Sequence, residues 1–432
     1  FTLVIRKNKS VILKIFFIVL NLPYYIYKKL SRNKNKFSIS SRIIKISTIS
    51  VSIGILVTLI SFSTGKGLQK QIKDKMFSIQ SDIVISSYEN IETGISLNPI
   101  NKSNMLNSLQ SEDLIYSNMF YSVDKPSLLL SNQDFESIIF RGLDKNYDIN
   151  KFNELFIKEG KIQNQINNYE ILISSSLAKR NDINLNQEIR VFFNKDFSQN
   201  IPDVRNFKVI GLFETEFPEF DNNIILGNIK DIKEIYGWGT NQTGNLNIII
   251  DNKDDIIPYQ KTLNSSNYLI DNDLRASSVL SQNENIFNWI SIFDFNIIII
   301  VSVMIIVAIV NIIIALMVLI FERNKMIGLL KSMGANNKLI RKIFLYKGAE
   351  IIIKGLVYGN IIFFTIVFIQ NNFNIIKLNP KDYYVDTLPF YLDSFYIVGL
   401  NSLFVLISIF VLWLTFSVIS RISPSKIINS KL

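Results

Sequence analysis

The sequence predicts a membrane protein with four transmembrane α-helices and a large α+β domain that lies between the first and the second helix. Three observations lead to this fold class. Four apolar stretches are each long enough to cross a bilayer, short basic segments flank them, and about 230 residues between the first two stretches have the composition of a soluble domain. Only 19% of the 432 residues are charged, below the roughly 25% typical of soluble domains.

The length of the apolar stretches favours helices over strands. About 20 helical residues cover the roughly 30 Å of the hydrocarbon core, whereas a β-strand usually has no more than about ten residues. The predicted transmembrane helices comprise residues 43–64, 294–321, 343–370 and 395–419. The second exceeds the length that the bilayer requires, so we expect it to tilt or to project beyond the lipid.

The basic residues predict the orientation in the membrane. Residues 1–45 carry 11 basic and no acidic side chains, and residues 322–342 carry 6 basic and 1 acidic. Residues 46–321 instead carry 22 basic and 31 acidic side chains. Because basic loops remain in the cytoplasm, the segments predicted inside are 1–42, 322–342 and 420–432, and those predicted outside are 65–293 and 371–394. This distribution accounts for the net charge of +10 without nucleic-acid binding.

The N-terminal segment contains an apolar stretch at residues 11–27 that is too short to span the bilayer. Lys14 and Pro23 interrupt it, and a basic run follows. A signal peptide is the alternative, but no small-residue cleavage site is visible after the stretch. We therefore predict an interfacial helix on the cytoplasmic face of the membrane.

The outer domain, residues 65–293, shows the patterns of both strands and helices, which predicts an α+β unit. A helical pattern at 66–78 continues the first span. Strands are predicted at 83–87, 128–130, 138–142, 171–174, 188–193, 207–213, 224–226 and 246–250, and short helices at 176–181 and 229–236. Residues 89–118, which are rich in Ser and Asn, are predicted to form loops.

The composition excludes several kinds of catalytic and metal sites. The chain contains no cysteine and no histidine, so it has no disulfide, no Ser-His-Asp triad and no histidine metal ligand. The acidic cluster of Glu214, Glu216, Glu219 and Asp221 does not establish a general acid–base pair, because two such carboxylates must converge on one substrate. We interpret them as solvated carboxylates of a loop.

The loop at 322–342 has the pattern of a short amphipathic helix. Met326, Ile327, Leu330 and Met333 recur at helical spacing, and Gly334 stands where a helix C′ residue is expected. Asn336 or Asn337 is suited to cap the next helix. Two interpretations stay open: a docking element for a cytoplasmic partner, or a connecting loop that lies on lipid headgroups. The residues assigned to the docking element are Glu322, Arg323, Lys325, Met326, Ile327, Leu330, Lys331 and Gly334.

Small and polar residues within the spans predict helix packing. Gly355 and Gly359 have the small-xxx-small spacing that lets two helices approach closely. Asn311 and Asn401 lie in the second and fourth spans, where polar side chains usually face protein rather than lipid. Packing within the bundle is favoured here over a transport pathway.

Several segments resemble a known family. Residues 322–359, ERNKMIGLLKSMGANNKLIRKIFLYKGAEIIIKGLVYG, resemble the signature of FtsX/MacB-type permeases of ABC transporters. SIGILVTLISFSTGKGLQKQI through the first span, FRGLD at 140–144 and NPKDYYVDTLPF in the outer loop resemble the LolC/LolE-type, lipoprotein-releasing branch. The resemblance extends over nearly the whole chain.

The resemblance implies a type VII ABC transporter permease in the bacterial inner membrane, with the domain at 65–293 in the periplasm. A dimer of permease subunits, homo- or heteromeric, would bind two copies of a separate ABC ATPase through the coupling helix in 322–334. The complex would extract lipoproteins from the membrane lipid and pass them to a periplasmic chaperone. The chain has no G-x-x-x-x-G-K-[ST] motif, so ATP and Mg²⁺ would be bound by the ATPase and this subunit would be non-catalytic.

The same resemblance implies a chaperone contact. Members of the branch carry a hairpin loop that binds the chaperone, and its position corresponds to residues 194–206, with Phe197 and Pro202 as candidate contacts. The loop lacks the proline- and methionine-rich pattern of the gripping subunit. An ordinary hairpin turn therefore stays open as the alternative.

Two other functions are alternatives to lipoprotein release. A permease for efflux or mechanical signalling, as in MacB-like relatives, usually carries a fused ATPase. A membrane-anchored receptor or sensor would need a cytoplasmic signalling domain, for which we expect no room in residues 420–432.

Overall fold

The computed structural model describes residues 22–32, 39–110, 115–130, 135–160, 162, 164–195 and 202–419. The chain forms two compact units. The first, called the membrane unit, comprises the described residues up to Leu68, Ile292–Ile376 and those from Leu388 onward. The second, called the sheet unit, comprises Gln69–Ser291 and Lys377–Thr387.

The elements follow each other along both units. The helices are α1 (Leu22–Arg32), α2 (Ile39–Ile79), α3 (Tyr88–Thr93), α4 (Lys102–Gln110), α5 (Ile149–Phe156), α6 (Ser175–Arg180), α7 (Pro218–Asp221), α8 (Ile229–Tyr236), α9 (Ile256–Ser265), α10 (Asn267–Asp271), α11 (Val279–Gln282), α12 (Glu284–Glu322), α13 (Asn324–Ser332), α14 (Asn337–Phe373), α15 (Pro380–Tyr383) and α16 (Ser394–Ile419). The strands are β1 (Ile83–Ser87), β2 (Ile100–Asn101), β3 (Asn118–Leu130), β4 (Phe135–Leu143), β5 (Ile157–Gly160), β6 (Glu170–Ser174), β7 (Glu188–Phe193), β8 (Asp203–Phe213), β9 (Ile224–Asn228), β10 (Gln242–Thr243), β11 (Asn245–Ile249) and β12 (Leu274–Ser278).

Four helices in the described residues are long and apolar enough to cross a membrane, namely α2, α12, α14 and α16. Each contains one of the four predicted spans. Helices α2, α12 and α14 have 41, 39 and 37 residues, far more than the roughly 20 that a bilayer requires. Helix α2 runs without a break through the first predicted span and the helical pattern at 66–78. Of the predicted interfacial segment at 11–27, residues 11–21 lie outside the described residues, and α1 begins at Leu22.

The core of the membrane unit lies where α2 meets the other three long helices. Val51, Ile55 and Leu59 of α2 are buried, and they pack with side chains from α12, α14 and α16. Those partners are Ala308, Ile312, Leu316, Ile352, Phe363, Val367, Phe404 and Leu412. Because all four helices contribute to one cluster, this cluster holds the membrane unit together.

The sheet unit is built on a ten-stranded sheet with the order β12-β1-β11-β3-β4-β9-β6-β8-β5, and β7 pairs with β3 and β8. The pairs β4–β9 and β6–β8 are parallel, and the other pairs in this sheet are antiparallel. Strand β3 is long enough to pair with β11 at its start and with β7 near its end. A second, two-stranded sheet pairs β2 with β10. This mixture of strands and short helices agrees with the predicted α+β architecture.

Four short helices of the sheet unit begin in the same way. Ser87, Ser174, Asn228 and Ser278 each end a strand, and each side chain accepts a hydrogen bond from a backbone N–H of the helix that follows. Such caps satisfy donors that a helix N-terminus leaves unpaired. The strand–cap–helix unit therefore recurs with different sequences along the chain.

The predicted loop at 89–118 was wrong. Helices α3 and α4 and strand β2 lie in this range, and β3 begins at Asn118. Their apolar residues are too sparse for a clear period, but Ile100 and Met105 reach the core of the sheet unit. Tertiary packing therefore stabilises these short elements, for which the local sequence pattern is weak.

Candidate functional site

The candidate site is α13, the short helix between α12 and α14. It ends as the sequence predicts, because Gly334 has a φ of +86°. The Gly334 N–H donates to the Lys331 carbonyl at 3.0 Å and the Ala335 N–H donates to the Leu330 carbonyl at 2.9 Å, the pair of bonds that defines a Schellman motif. Of the two cap candidates, Asn336 is the cap, and its Oδ1 accepts from the Leu339 N–H at 2.9 Å.

One side of α13 is anchored to the membrane unit. Ile327 is 7% exposed and packs with Ile320 of α12 and with Ile340 and Phe344 of α14, and Met326 packs against this cluster. Two of the predicted docking residues are therefore attached to the ends of the neighbouring helices. Through this cluster α13 packs against both α12 and α14.

The other side of α13 is open. Leu329 is 62% exposed and Met333 is 75% exposed. Leu330 and Lys331 are partly buried, whereas Glu322 and Gly334 are exposed. Arg323 is partly buried, and its carbonyl accepts a hydrogen bond from the Ile327 N–H at 3.0 Å. Lys325 lies in the first turn of α13. Leu329 is absent from the predicted docking residues, and Met333, which the helical spacing groups with Ile327, is exposed whereas Ile327 is buried.

The two glycines of α14 lie against α2. A Cβ atom on Gly355 would come within 2.5 Å of Val51 Cγ1, and one on Gly359 would come within 2.8 Å of the Ser52 carbonyl oxygen. Both distances are too short for any real Cβ contact, so only glycine allows α2 and α14 to approach so closely. The structure thus places Gly355 and Gly359 at a helix–helix contact.

Amide side chains join the helices in pairs. Asn311 of α12 donates to Ser50 Oγ of α2 at 2.5 Å. Asn360 of α14 and Asn401 of α16 exchange hydrogen bonds of 2.8 and 3.1 Å. Polar groups in an apolar bundle are costly unless they find such partners.

Glu350 of α14 joins three side chains. It accepts hydrogen bonds from Tyr27 of α1 at 2.9 Å, from Lys347 at 2.6 Å and from Lys354 at 2.6 Å. The ring of Tyr346 lies 5.6 Å from the ring of Tyr24. The Glu350–Lys354 pair follows from the local helical spacing of i and i+4, whereas the contact with α1 joins residues far apart in the sequence.

The proposed chaperone loop is described only in part. Strands β7 and β8 pair antiparallel up to Phe193 and Asp203. Phe197 lies outside the described residues, and Pro202 is exposed just before β8.

The acidic cluster is not uniformly solvated, so that interpretation was wrong for Asp221. Asp221 is buried and accepts hydrogen bonds from the N–H groups of Thr215 and Glu216. Glu216 pairs with Lys75. These carboxylates shape the loop instead of converging on a common point.

Two known families match successive parts of the chain. The family of the MacB-like periplasmic core domain matches residues 46–264, just over half of the chain. The family of the FtsX-like permease C-terminal region matches residues 298–424, which include α13. The chain belongs to the FtsX/MacB permease family. The predicted resemblance and the predicted fold class are thereby confirmed.

Relatives within the FtsX/MacB family match most of the chain. The lipoprotein-releasing system transmembrane protein LolC of Buchnera aphidicola is 24% identical over 425 residues, which cover 95% of this chain and 99% of that protein. The ABC transporter permease YtrF of Bacillus subtilis is 22% identical and covers 72% of this chain and 76% of its own length. The periplasmic region of MacB from Actinobacillus actinomycetemcomitans aligns with 48% of this chain and 93% of its own, with a TM-score of 0.33 and 16% identity.

This FtsX/MacB-family chain is therefore a membrane-spanning ABC transporter permease. Its homologues are permease subunits, which implies an ABC ATPase as partner.

Proposed function

We propose that this chain is the permease subunit of a transporter that extracts lipoproteins from the bacterial inner membrane and passes them to a periplasmic chaperone. Support comes from the LolC proteins among its relatives, one of which aligns along 99% of its length. The proposal includes a second permease subunit and places the sheet unit in the periplasm and α13 in the cytoplasm. Extraction requires an energy source because each buried acyl CH₂ contributes about 0.8 kcal/mol to membrane anchoring.

The observation that carries the coupling part of the proposal is the two-sided structure of α13. Its open side offers Leu329 and Met333 to a partner, with the basic residues Arg323, Lys325 and Lys331 in the same segment. Its anchored side joins Ile327 to α12 and α14. A separate ATPase that binds ATP and Mg²⁺ and moves the open side would thereby move two spans at once. The permease itself needs no catalytic residue for this role.

The orientation can be tested directly, because the chain contains no cysteine. Single variants Ser332→Cys in α13 and Ser265→Cys in the sheet unit carry the only thiol of the protein, and both serines are exposed. In intact cells with a permeabilised outer membrane, a membrane-impermeant maleimide should label Ser265→Cys and should label Ser332→Cys only after the inner membrane is opened. Labelling of Ser332→Cys in intact cells would contradict a cytoplasmic α13.

The ATPase contact can be tested by co-purification. The double variant Leu329→Asp/Met333→Asp should reduce recovery of the ATPase at least tenfold, because two carboxylates would be buried in the contact. The charge reversal Arg323→Glu/Lys325→Glu should also weaken it. Leu392→Asp is the matched control, since Leu392 is an equally large exposed apolar residue in the predicted outer loop. Undiminished recovery with both double variants would rule out α13 as the docking element.

The substrate can be tested separately. The wild-type protein, purified with its ATPase and reconstituted in proteoliposomes with a triacylated lipoprotein, should release that lipoprotein to a soluble chaperone when ATP is added. ATP hydrolysis without release would leave the FtsX/MacB permease assignment intact and would contradict lipoprotein extraction. Efflux or mechanical signalling would then be the favoured function, as the match to the permease YtrF also allows.

A further inference from the structure

A polar cavity lies within the sheet unit, on the face of the large sheet opposite its apolar core. Its volume is about 360 Å³, within the roughly 300–1,000 Å³ of small-ligand sites. The strands β1, β11, β3, β4 and β9 form its floor, and α3 forms one wall. The permease role described above does not use this cavity.

The floor of the cavity follows from the alternation of side chains along the strands. In β11, Leu246 and Ile248 enter the core, whereas Asn245 and Asn247 line the cavity, as the two-residue period of a strand requires. In β3, Val123 enters the core and its neighbours line the cavity. The cavity floor is therefore a polar surface of largely buried side chains, and the exposed residues Glu92 and Thr93 lie at its rim.

A ladder of hydrogen bonds fixes these polar side chains. Asn247 Nδ2 donates to Ser122 Oγ at 2.9 Å and Asn245 Nδ2 donates to Asp124 Oδ2 at 3.1 Å. On the next strand, Arg141 Nε donates to Asp124 Oδ1 at 2.7 Å. Four of these groups, Ser122, Asp124, Asn245 and Asn247, are buried. Fixed side chains present their remaining hydrogen-bonding groups in a defined geometry, which favours binding.

Two groups beside the Asp124 carboxylate have unused hydrogen-bonding capacity. Among the described residues, no hydrogen bond is made by Arg141 Nη1, and none is accepted by Asn245 Oδ1. A donor and an acceptor thus lie on either side of Asp124. This pair complements an amide, whose carbonyl oxygen accepts and whose N–H donates.

The charged groups of the cavity disfavour an anionic ligand, because Glu92 also lines it. The positive charge of Arg141 is compensated by Asp124 in an ion pair, so an added carboxylate would be attracted by one group and repelled by the other. The remaining lining includes Ile91, Phe220 and Leu226, which can contact small apolar side chains. We infer that the cavity binds a short extended segment of polypeptide through its backbone amides. This inference does not depend on lipoproteins being the transported substrate.

Direct binding to the full-length protein in detergent micelles tests the inference. The probe is N-acetyl-trialanine amide, which has peptide groups but no charge, and the comparison probes are acetate and glucose. Saturation-transfer NMR should detect the blocked peptide and neither comparison probe. Absence of peptide binding, or tighter binding of acetate or glucose, would overturn the inference.

Variants of lining residues test whether the peptide binds in this cavity. Arg141→Lys keeps the charge beside Asp124 but removes the planar donor, so the affinity for the peptide should fall at least tenfold. Arg180→Lys is the matched control, because Arg180 also pairs with a carboxylate, Glu136, but lies outside the cavity lining. Ile91→Trp should block the cavity and abolish binding; if it lowers the unfolding midpoint, Thr93→Trp at the exposed rim replaces it. Equal affinity in wild type, Arg141→Lys and a folded blocking variant would overturn the inference.

Discussion

The Tyr27 hydroxyl donates a hydrogen bond to Glu350 Oε2 at 2.9 Å, across 323 positions of sequence. This contact ties the short helix α1 to α14. The same carboxylate is held by Lys347 and Lys354, so its position is fixed from three sides. A hydrogen bond to such a charged group contributes more to stability than one between neutral groups.

Removing the Tyr27 hydroxyl should destabilise the membrane unit. We expect Tyr27→Phe to lower the free energy of unfolding by about 1.5 kcal/mol, as for other hydrogen bonds to charged groups. Tyr25→Phe is the matched control, because Tyr25 lies in the same helix and is exposed, without a hydrogen bond among the described residues. The measurement is the unfolding midpoint in detergent micelles. Equal midpoints for the two variants would show that the contact contributes no stability.

Replacement of glycine by alanine should have opposite effects on stability at two positions of the bundle, Gly359 and Gly399. Gly359→Ala places a Cβ against Ile55 and the Ser52 carbonyl, and overpacking of this kind costs about 1–3 kcal/mol. Gly399→Ala in α16 meets no atom within 4 Å, so it should stabilise its helix by up to about 1 kcal/mol. Opposite shifts of the unfolding midpoint are the expected result. A Gly359→Ala variant at least as stable as wild type would contradict the close packing of α14 on α2.

The carboxyl group of Asp231 should make the stability of the sheet unit depend on pH. Burial raises the pKa of Asp231 from 3.8 to about 6, and its Oδ1 has no hydrogen-bond partner among the described atoms. The folded state therefore retains a proton that the unfolded chain releases between pH 4 and 6. The stability contributed by this group is thus lost as the pH rises through that range.

Replacing this carboxyl by an amide tests whether ionisation of Asp231 destabilises the folded state. Asp231→Asn keeps an acceptor for the Tyr169 N–H, which Asp231 Oδ2 accepts at 3.0 Å. We expect the variant to be more stable than wild type at pH 8 by about 1–3 kcal/mol and equally stable below pH 4. Denaturant unfolding at both pH values measures the difference. A variant less stable at pH 8 would show that the ionised carboxylate stabilises the start of α8.

The elements that the sequence predicts well are those with long or regular patterns. The four spans are predicted from their length. The predicted bounds of β1, β7 and α8 are the bounds observed. Gly334 was correctly predicted as a helix end, and the cap of the next helix was narrowed to Asn336 or Asn337, because these roles follow from local backbone chemistry.

The partners of contacts between elements far apart in the sequence could not be predicted. The partner of Glu350 on α1 is 323 residues away, and the exposure of Leu329 follows from how Ile327 packs on α12 and α14. The sequence does contain a pattern that corresponds to the cavity floor, namely the alternation of Asn with Leu and Ile in NLNI at 245–248. A polar face of that kind is normally solvated, and only the position of α3 shows that it is the floor of a cavity.

The outer-loop segment 377–387 belongs to the sheet unit, and Tyr384 holds it there. The Tyr384 ring stacks on Phe217 with 4.8 Å between centroids and lies edge-on to Trp289 at 5.8 Å. The Tyr384 hydroxyl donates to Glu219 at 3.3 Å. Its φ of +57° is unfavourable for a bulky residue and persists only because these contacts compensate for it.

Removing this ring should release the segment without unfolding the sheet. Each aromatic pair contributes about 0.5–1.5 kcal/mol beyond area burial, so Tyr384→Ala should raise the population of the open segment tenfold or more. Trypsin cleavage after Lys377 and Lys381 should accelerate in proportion, because proteolysis follows local opening. Tyr383→Ala is the control, since the neighbouring Tyr383 is exposed and should leave the cleavage rate unchanged. Equal rates for the two variants would mean that other contacts, such as the hydrogen bond from Lys75 Nζ to the Tyr384 carbonyl at 3.3 Å, suffice to hold the segment.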